Sequence, residues 1–562
     1  MSSANRSVTR VIGMAAALVL FACNSGSSSR AAGTLAPPGG VSATASPTDI
    51  TVDWTQVAGA TSYNVYWGTA PGVTKSTGTQ IPVVSPPFVH TGLIDGTTYY
   101  YVVTSVTGTT EGVESVEVNA YFGPNTGILD PGFGGGNGWV NYDSAAGGNW
   151  VDEAYGVSID SGGRILVTGY SMGPSPNPPQ PGHITMVVWR LNDDGSLDTT
   201  FNSQGWVTFD GGGGNAALDE GYSVYEDSSG RIVVAGTYGV NSINQDMAIW
   251  RYMADGTPDA SFGTAGLVSH DGAAGAPGGE EFAWAMIIDS SDRIVCAGSS
   301  PNIRGDFDMV IWRYDPTGLL DPTFANGGIF VHDGAAGGID WDEALNVTED
   351  PSGRLVATGY STTALGDIDM VIWRLDSSGT LDTTFGAGTG IVTHHNAAGG
   401  NSEDYGEGIG VDASGRIIVS GISLNLDPAP NFDTALWVFD DAGSLDTTFG
   451  TGGVIVEDNT AGGNYWDDGL AVALNASGRI FMAGFSYGPR SDRDMVVWGY
   501  LSSGARDLGF AGSGIFIDDN AAGGMGDDTG HAAILDSQNR LVVAGSSVSP
   551  SSSRDMVVWR IR

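Results

Sequence analysis

Basic residues are scarce in this chain: 22 Lys and Arg stand against 63 Asp and Glu, for a formal net charge of −41. That balance argues against nucleic-acid binding, because phosphates demand clustered Lys and Arg. It also opposes docking on anionic lipid, and it favours solubility or cation binding. Only two cysteines occur, Cys23 and Cys296, too few for a disulfide framework. Cys296 lies in the apolar run RIVCAG, where most other repeats carry Val or Ala, and reads as a small buried hydrophobe. No long apolar segment of helical period follows residue 25. The motifs G-x-S-x-G, H-E-x-x-H, the phosphate loop and C-x-x-C are all missing. Charged residues make up 15% of the chain and glycines number 87, a composition suited to short strands joined by tight turns.

What the chain has in abundance is itself. A phrase close to L-D-x-x-F recurs at Asp130, Asp198, Asp259, Asp321, Asp382, Asp446 and Asp507, with steps of 68, 61, 62, 61, 64 and 61 residues. A fixed period of this size across residues 129–562 means an array or a closed ring. In the unit that starts at Leu345, LNVTED, RLVATGYS, DMVIWRL and IVTHH read as four short strands separated by Gly-rich turns. Four strands per repeat predict an all-β propeller. Innermost strands are expected to begin near Tyr155, Tyr222, Phe282, Leu345, Glu407, Leu470 and His531, which predicts seven blades. The C-terminal DMVVWRIR is a third strand without a fourth. The orphan GWVNYD around Trp139 is expected to complete that last blade and so close the ring without an open edge. The phrases SGRI, DMVVWR and LDTTF resemble the delta-60 repeat family of bacterial surface and secreted proteins. That resemblance implies a propeller-like ring and no established activity.

Two other segments precede the repeats. Residues 1–23 read as an export signal: Arg6 and Arg10, then the apolar VIGMAAALVLFA, too short to span a bilayer. The ending Leu20-Phe21-Ala22-Cys23 resembles the bacterial lipoprotein box, which implies cleavage before Cys23 and its acylation, although Phe21 stands where a small residue is usual. A lipid on Cys23 would anchor the protein in the envelope without a spanning helix, with the outer membrane favoured. An ordinary secretory signal cut nearby is the alternative. Residues 24–36 read as a flexible tether. Residues 37–122 alternate apolar and polar residues in DITVDWTQV and TSYNVYWGTA, then continue as LIDGTTYYYVVTSVT. With Trp54, Tyr63, Val65, Leu93 and Tyr99 in this order, the segment resembles a fibronectin type III β-sandwich. The resemblance implies that Tyr99 is a corner tyrosine with its hydroxyl tied to nearby backbone. A spacer role is expected for it.

The repeating polar residues are read first as architecture, because a catalytic device is needed once and not in every blade. The Gly-Arg arginines (Arg164, Arg231, Arg293, Arg354, Arg416, Arg479, Arg540) and the aspartates opening the third strand (Asp246, Asp308, Asp369, Asp433, Asp494, Asp555) are expected to form structural hydrogen bonds and charge pairs. The third-strand tryptophans are expected to pack blade on blade. His270, His332 and His394 occupy matching outer-strand positions, too far apart to converge on a zinc ion.

The linkers into the innermost strands carry the candidate site. Each ends in an acidic pair beside a Gly-rich turn: Asp152 and Glu153, Asp219 and Glu220, Glu280 and Glu281, Asp342 and Glu343, Glu403 and Asp404, Asp467 and Asp468, Asp527 and Asp528. Rings of such oxygens suit calcium. The reading that the unspecific pattern favours, however, is turn and strand-start carboxylates capping backbone amides. No other cofactor is expected. Loops between second and third strands vary from repeat to repeat and share a face with these linkers, where binding usually resides. The favoured function is therefore non-catalytic recognition of a protein or glycan by propeller loops. A polysaccharide lyase or hydrolase using acids at the channel mouth, and a purely structural envelope component, stay open.

Overall fold

The computed structural model describes residues 35–45, 49–93, 97–122, 127–147, 150–173, 183–211, 218–241, 244–400, 403–426, 430–551 and 553–562. The export signal with Cys23, nearly all of the tether, and residues 174–182 of the Pro-rich loop lie outside the described residues. The chain divides into two compact units, one ending at Phe122 and one beginning at Gly123. The described residues contain no α-helix, and no helix long and apolar enough to cross a membrane.

The first unit is a pair of antiparallel sheets. Gly39–Ala45, Ile50–Thr55 and Phe88–His90 form one; Thr79–Val84, Ser62–Gly68, Thr97–Thr107, Thr110–Glu114 and Val118–Phe122 form the other. Alternate residues of the strands, Ile50, Val52 and Trp54 against Tyr63, Val65, Tyr99, Tyr101 and Val103, meet in one core. The backbone N–H of Val57 donates to the Tyr63 hydroxyl at 2.7 Å. Tyr99 is buried, its ring 5.5 Å from that of Trp67.

The second unit is a β-propeller. Its described residues form seven four-stranded antiparallel sheets, each running innermost to outermost in chain order except the last. There, Asp528–Leu535, Leu541–Val548 and Arg554–Ile561 are joined by Trp139–Tyr142, with Trp559 paired to Trp139. The third strands are almost wholly buried, because sheet packs on sheet at both faces. In one such interface Val295, Ala297 and Ile311 of the third sheet pack against Ala344, Ala357 and Trp373 of the fourth. All seven third-strand tryptophans are fully buried.

The repeated phrases acquire physical reasons. Asp160 accepts the backbone N–H groups of Gly162 and Arg164, and its other oxygen takes the Arg164 Nε at 2.7 Å. The same Asp–Arg bracket recurs at Asp227, Asp289, Asp350, Asp412 and Asp536. In the L-D-x-x-F phrase, Asp198 takes the Nε of the buried third-strand Arg190 at 2.8 Å, and Phe201 lies under that guanidinium. Arg251, Arg313, Arg374 and Arg560 repeat the arrangement. The pairing expected from sequence is thus corrected in one respect. The arginines find the turn and L-D-x-x-F aspartates, whereas Asp246, Asp308, Asp369, Asp433, Asp494 and Asp555 open the third strand at its opposite end, beside the linkers.

Candidate functional site

One acid of every linker turns back on the linker itself. Asp152, Asp219, Glu281, Asp342, Asp404, Asp467 and Asp528 are all buried. They accept backbone N–H groups of Ser144, Gly211, Ala273, Gly334, Asn396, Asn459 and Asn520 respectively, at 2.7–3.0 Å. Burial pushes the carboxyls of Asp152 and Asp219 up to about 6, and those of Glu281, Asp467 and Asp528 up to about 7. The acidic pairs do not share one register. In the first, second, fourth and sixth sheets the partner follows the capping acid, as Glu153, Glu220, Glu343 and Asp468. In the third, fifth and seventh it precedes it, as Glu280, Glu403 and Asp527, and Phe282, Tyr405 and Thr529 stand in its place.

The innermost strands begin earlier than sequence reading places most of them, at Asp152, Glu220, Phe282, Gly337, Asp404, Asp467 and Asp528. Phe282 does open its strand, as expected; the other six expected starts are instead where the strand breaks step with its neighbour, a place that Trp284 takes in the third sheet. All seven ladders shift register at the same place, a β-bulge that frees one residue. Opposite the bulge stands a glycine in every second strand, such as Gly169 and Gly359. A Cβ there would overlap the carbonyl oxygen of Glu153 or Glu343.

The freed residues line a central channel of about 660 Å³. On one side His531, Tyr155, Tyr222 and Trp284 form an arc, with successive ring centroids 5.1, 5.5 and 4.8 Å apart. On the other side stand Leu345, Glu407 and Leu470. Tyr155 donates its hydroxyl to Glu153 at 3.0 Å, Tyr222 to Glu220, and Trp284 its indole N–H to Glu343 at 3.0 Å. Glu407 is hydrogen-bonded to Asp468 across neighbouring sheets, and burial followed by that repulsive neighbour raises its carboxyl well above the usual range. Burial pushes Asp468 up to about 6. Burial pushes His531 down to about 4, so it is uncharged at neutral pH.

On the linker face, aromatic rings stand out of the surface. Among the described residues three of the chain's tryptophans are 44–50% exposed: Trp150, Trp341 and Trp466. Each lies in a linker, one or two residues before its capping acid, and Tyr465 beside Trp466 is also exposed. Trp341 stands edge-on to Phe307 at 5.9 Å, and Trp466 edge-on to Phe432 at 4.9 Å, so the rings rest on third-strand starts. Bridges Gln245 to Glu280 and Gly275 to Asn302 tie linkers to the loops between second and third strands, placing both on this face.

One group of carboxylates converges as a cation site would require. Oxygens of Asp433, Asp458 and Asp467 lie within 4.8 Å of one another. His270, His332 and His394 do not converge. Each packs 6.1–6.5 Å from the tryptophan of the next sheet, and His394 Nδ1 lies 3.1 Å from the Trp437 Nε1.

Sequence reading missed the channel ring and the exposed tryptophans. The signal for the ring was present, since a glycine inside every second strand marks a bulge or a close approach on its neighbour. The tryptophans stand inside the linkers read for their acids, but exposure has no signature in a single sequence.

A family described as "Domain of unknown function (DUF5122) beta-propeller" matches residues 184–201, 228–262, 290–324 and 351–385. No curated protein matches the chain. A solved Fn3-like protein from Clostridium thermocellum is 31% identical, over 16% of this chain and 95% of its own, with a TM-score of 0.15. Trypanosoma rangeli sialidase is 11% identical over 75% of this chain and 57% of its own, with a TM-score of 0.31. An ulvan lyase of polysaccharide lyase family PL25 is 9% identical over 74% and 95%, with a TM-score of 0.34. At these scores none of the three bears on what this chain does.

Proposed function

We propose that this protein is a carbohydrate-binding propeller whose ligand docks on the linker face. The observation that carries the reading is the placement of Trp150, Trp341 and Trp466, exposed on that one face, while the tryptophan of every third strand is fully buried. Half-exposed indole rings on one face offer large, rigid apolar surface of the kind that anchors ligands. Their flat apolar faces match the C–H faces of pyranose rings. The net charge of −41 turns away polyanionic glycans and leaves neutral or basic ones.

Hydrolysis by the buried pair Glu407 and Asp468 is not the favoured reading. Those carboxyls are hydrogen-bonded directly, whereas glycosidase pairs stand about 5–5.5 Å or about 6.5–9.5 Å apart to admit a sugar carbon or a water. The export segment would carry the protein to the envelope, a lipid on Cys23 would hold it there, and the fibronectin-like unit would act as spacer. Calcium, expected among the linker acids, would go to Asp433, Asp458 and Asp467.

Titration calorimetry against a panel of neutral oligosaccharides tests the reading. Saturable binding is expected, weakened about tenfold or more by each of W150A, W341A and W466A at the tryptophans that dominate such interfaces. Silence across the panel, or equal binding by all three variants, would sink it. Loss of membrane association in Cys23→Ser tests the anchor separately.

A further inference from the structure

Two Asn-Gly steps occur in the chain, Asn137-Gly138 and Asn326-Gly327. Both lie in the turn that follows an L-D-x-x-F phrase and leads into an outermost strand, which begins at Trp139 in one case and at Ile329 in the other. An asparagine followed by glycine carries its own electrophile beside a nucleophile. The glycine nitrogen can attack the asparagine Cγ, because no side chain obstructs closure of a five-membered ring. In a folded protein the outcome depends on two things: whether that nitrogen is engaged, and whether the chain around it has room to bend.

The two steps differ on both counts. The Gly138 N–H donates to the Phe133 carbonyl at 3.0 Å, and Gly138 is buried. A Cβ on it would fall 2.4 Å from the Leu129 Cβ and 3.0 Å from the Asp130 N, so its backbone is wedged against the L-D-x-x-F phrase. In the other turn the corresponding bond, to the Phe324 carbonyl at 2.7 Å, is made by Gly328. Gly327 stands one place outside it. Its N–H has no hydrogen-bond acceptor among the described residues, it is exposed, and nothing lies within 4 Å of the place its Cβ would take. Asn326 is exposed as well.

We infer that Asn326 is a site of spontaneous deamidation and that Asn137 is spared. Hydroxide removes the Gly327 amide proton, the nitrogen bonds to the Asn326 Cγ, and the Cγ–Nδ2 bond breaks with loss of ammonia. Water then opens the cyclic imide at one of its two carbonyls. Attack at Cγ leaves an aspartate. Attack at the main-chain carbonyl of residue 326 leaves an isoaspartate, whose main chain runs through Cβ and Cγ. Water is the only reagent consumed. The extra main-chain carbon of the isoaspartate falls inside both bonds that set the turn, Asn326 N–H to the Ile329 carbonyl at 3.1 Å and Gly328 N–H to the Phe324 carbonyl. The modification thus loosens the entry to the outermost strand of the third sheet, where Ile329 pairs with Trp312.

Incubating the purified full chain for weeks in mildly alkaline buffer, followed by peptide mass spectrometry, tests the inference. The peptide holding Asn326 should gain the mass difference between an amide and a carboxylic acid, in two forms that chromatography separates. The peptide holding Asn137 should change more slowly by about tenfold or more, the protection that one backbone hydrogen bond gives. In guanidinium chloride, where neither turn persists, the two should react at similar rates. Asn326→Gln, whose longer side chain cannot close the five-membered ring, should abolish the change at that site and melt as the parent does. An intact Asn326 in the folded chain, or equal reaction at Asn137, overturns the inference. So does a difference that survives in guanidinium chloride, because it would then come from the neighbouring sequence and not from the turn.

Discussion

The guanidinium of Arg560 lies 2.8 Å from the carboxylate of Asp130, 430 positions earlier in the chain. Both groups are almost fully buried, and Phe133 covers the guanidinium face. The same bond closes within a single repeat at Arg190 and Asp198. Its last copy is made between the two ends of the propeller unit, beside the pairing of Trp559 with Trp139.

Without the Asp130 carboxylate, the buried Arg560 guanidinium keeps only the largely exposed Asp193 as a counter-charge, 2.7 Å away. Asp130→Asn should therefore cost about 1.5–3 kcal/mol in urea unfolding, the range for a hydrogen bond to a charged group. A built-in control exists in the fifth sheet, where Val438 stands in place of the third-strand arginine. Asp446 there keeps its Thr448 donors, but among the described residues its ion-pair partner is Arg416 at 3.4 Å, and it is more exposed. Asp446→Asn should cost less than about 1 kcal/mol.

Gly359→Ala should destabilise by about 3 kcal/mol or more, because the new Cβ collides with the Glu343 carbonyl and the bulge must be undone. Gly366 has a left-handed backbone but open space around it. Gly366→Ala should cost only the conformational penalty, about 1–2 kcal/mol. The contrast in urea midpoints separates close approach from backbone preference.

Stability should rise as pH falls from about 8 to about 5. Burial raises Asp152 and Asp219 to about 6 and Glu281, Asp467 and Asp528 to about 7. A raised carboxyl favours the folded state most below its unfolded value, and that contribution is lost as pH rises through the folded value. Asp198, Asp259, Asp321 and Asp382 go the other way. Burial alone would raise them, but hydroxyl and amide donors and arginines hold them low. Their contribution disappears in acid, so melting temperatures should turn down again below about pH 4. A profile that falls steadily from pH 8 to pH 5 would contradict the burial of the linker acids.

Calcium should raise the melting temperature saturably near neutral pH, by the equivalent of about 2.7 kcal/mol at a hundredfold excess over its dissociation constant. Asp458→Asn should abolish the response, since Asp433, Asp458 and Asp467 supply the converging oxygens. Asp152→Asn should leave it intact, because that carboxylate serves its own linker. The response should weaken in acid, as protons compete at Asp433 and Asp467.

Much of the fold was legible because the chain states it repeatedly. A glycine turn, an apolar strand and an L-D-x-x-F phrase recur at fixed spacing, so errors at one repeat are corrected by the next. The partners of the repeated charges were less legible. Asp246 and Arg251 lie on one short strand, and only its burial and direction reveal that they serve opposite ends. The acidic pairs misled for a related reason. Glu280-Glu281 and Asp342-Glu343 look alike in sequence, yet it is Glu281 and Asp342 that each accept the backbone N–H eight residues earlier, the second acid of one pair and the first of the other. Trp150, Trp341 and Trp466 were visible as letters, but which tryptophans stay in solvent depends on sheets that a single repeat does not contain.

The bulge has a consequence for how this scaffold can be altered. At Tyr155, Tyr222, Trp284, Leu345, Glu407, Leu470 and His531 the side chain is released from the step-for-step pairing that constrains its neighbours. Those positions act as seven interchangeable keys on a fixed lock body. Rewriting them would retune what the pore admits, and the surrounding ladders would be left as they are.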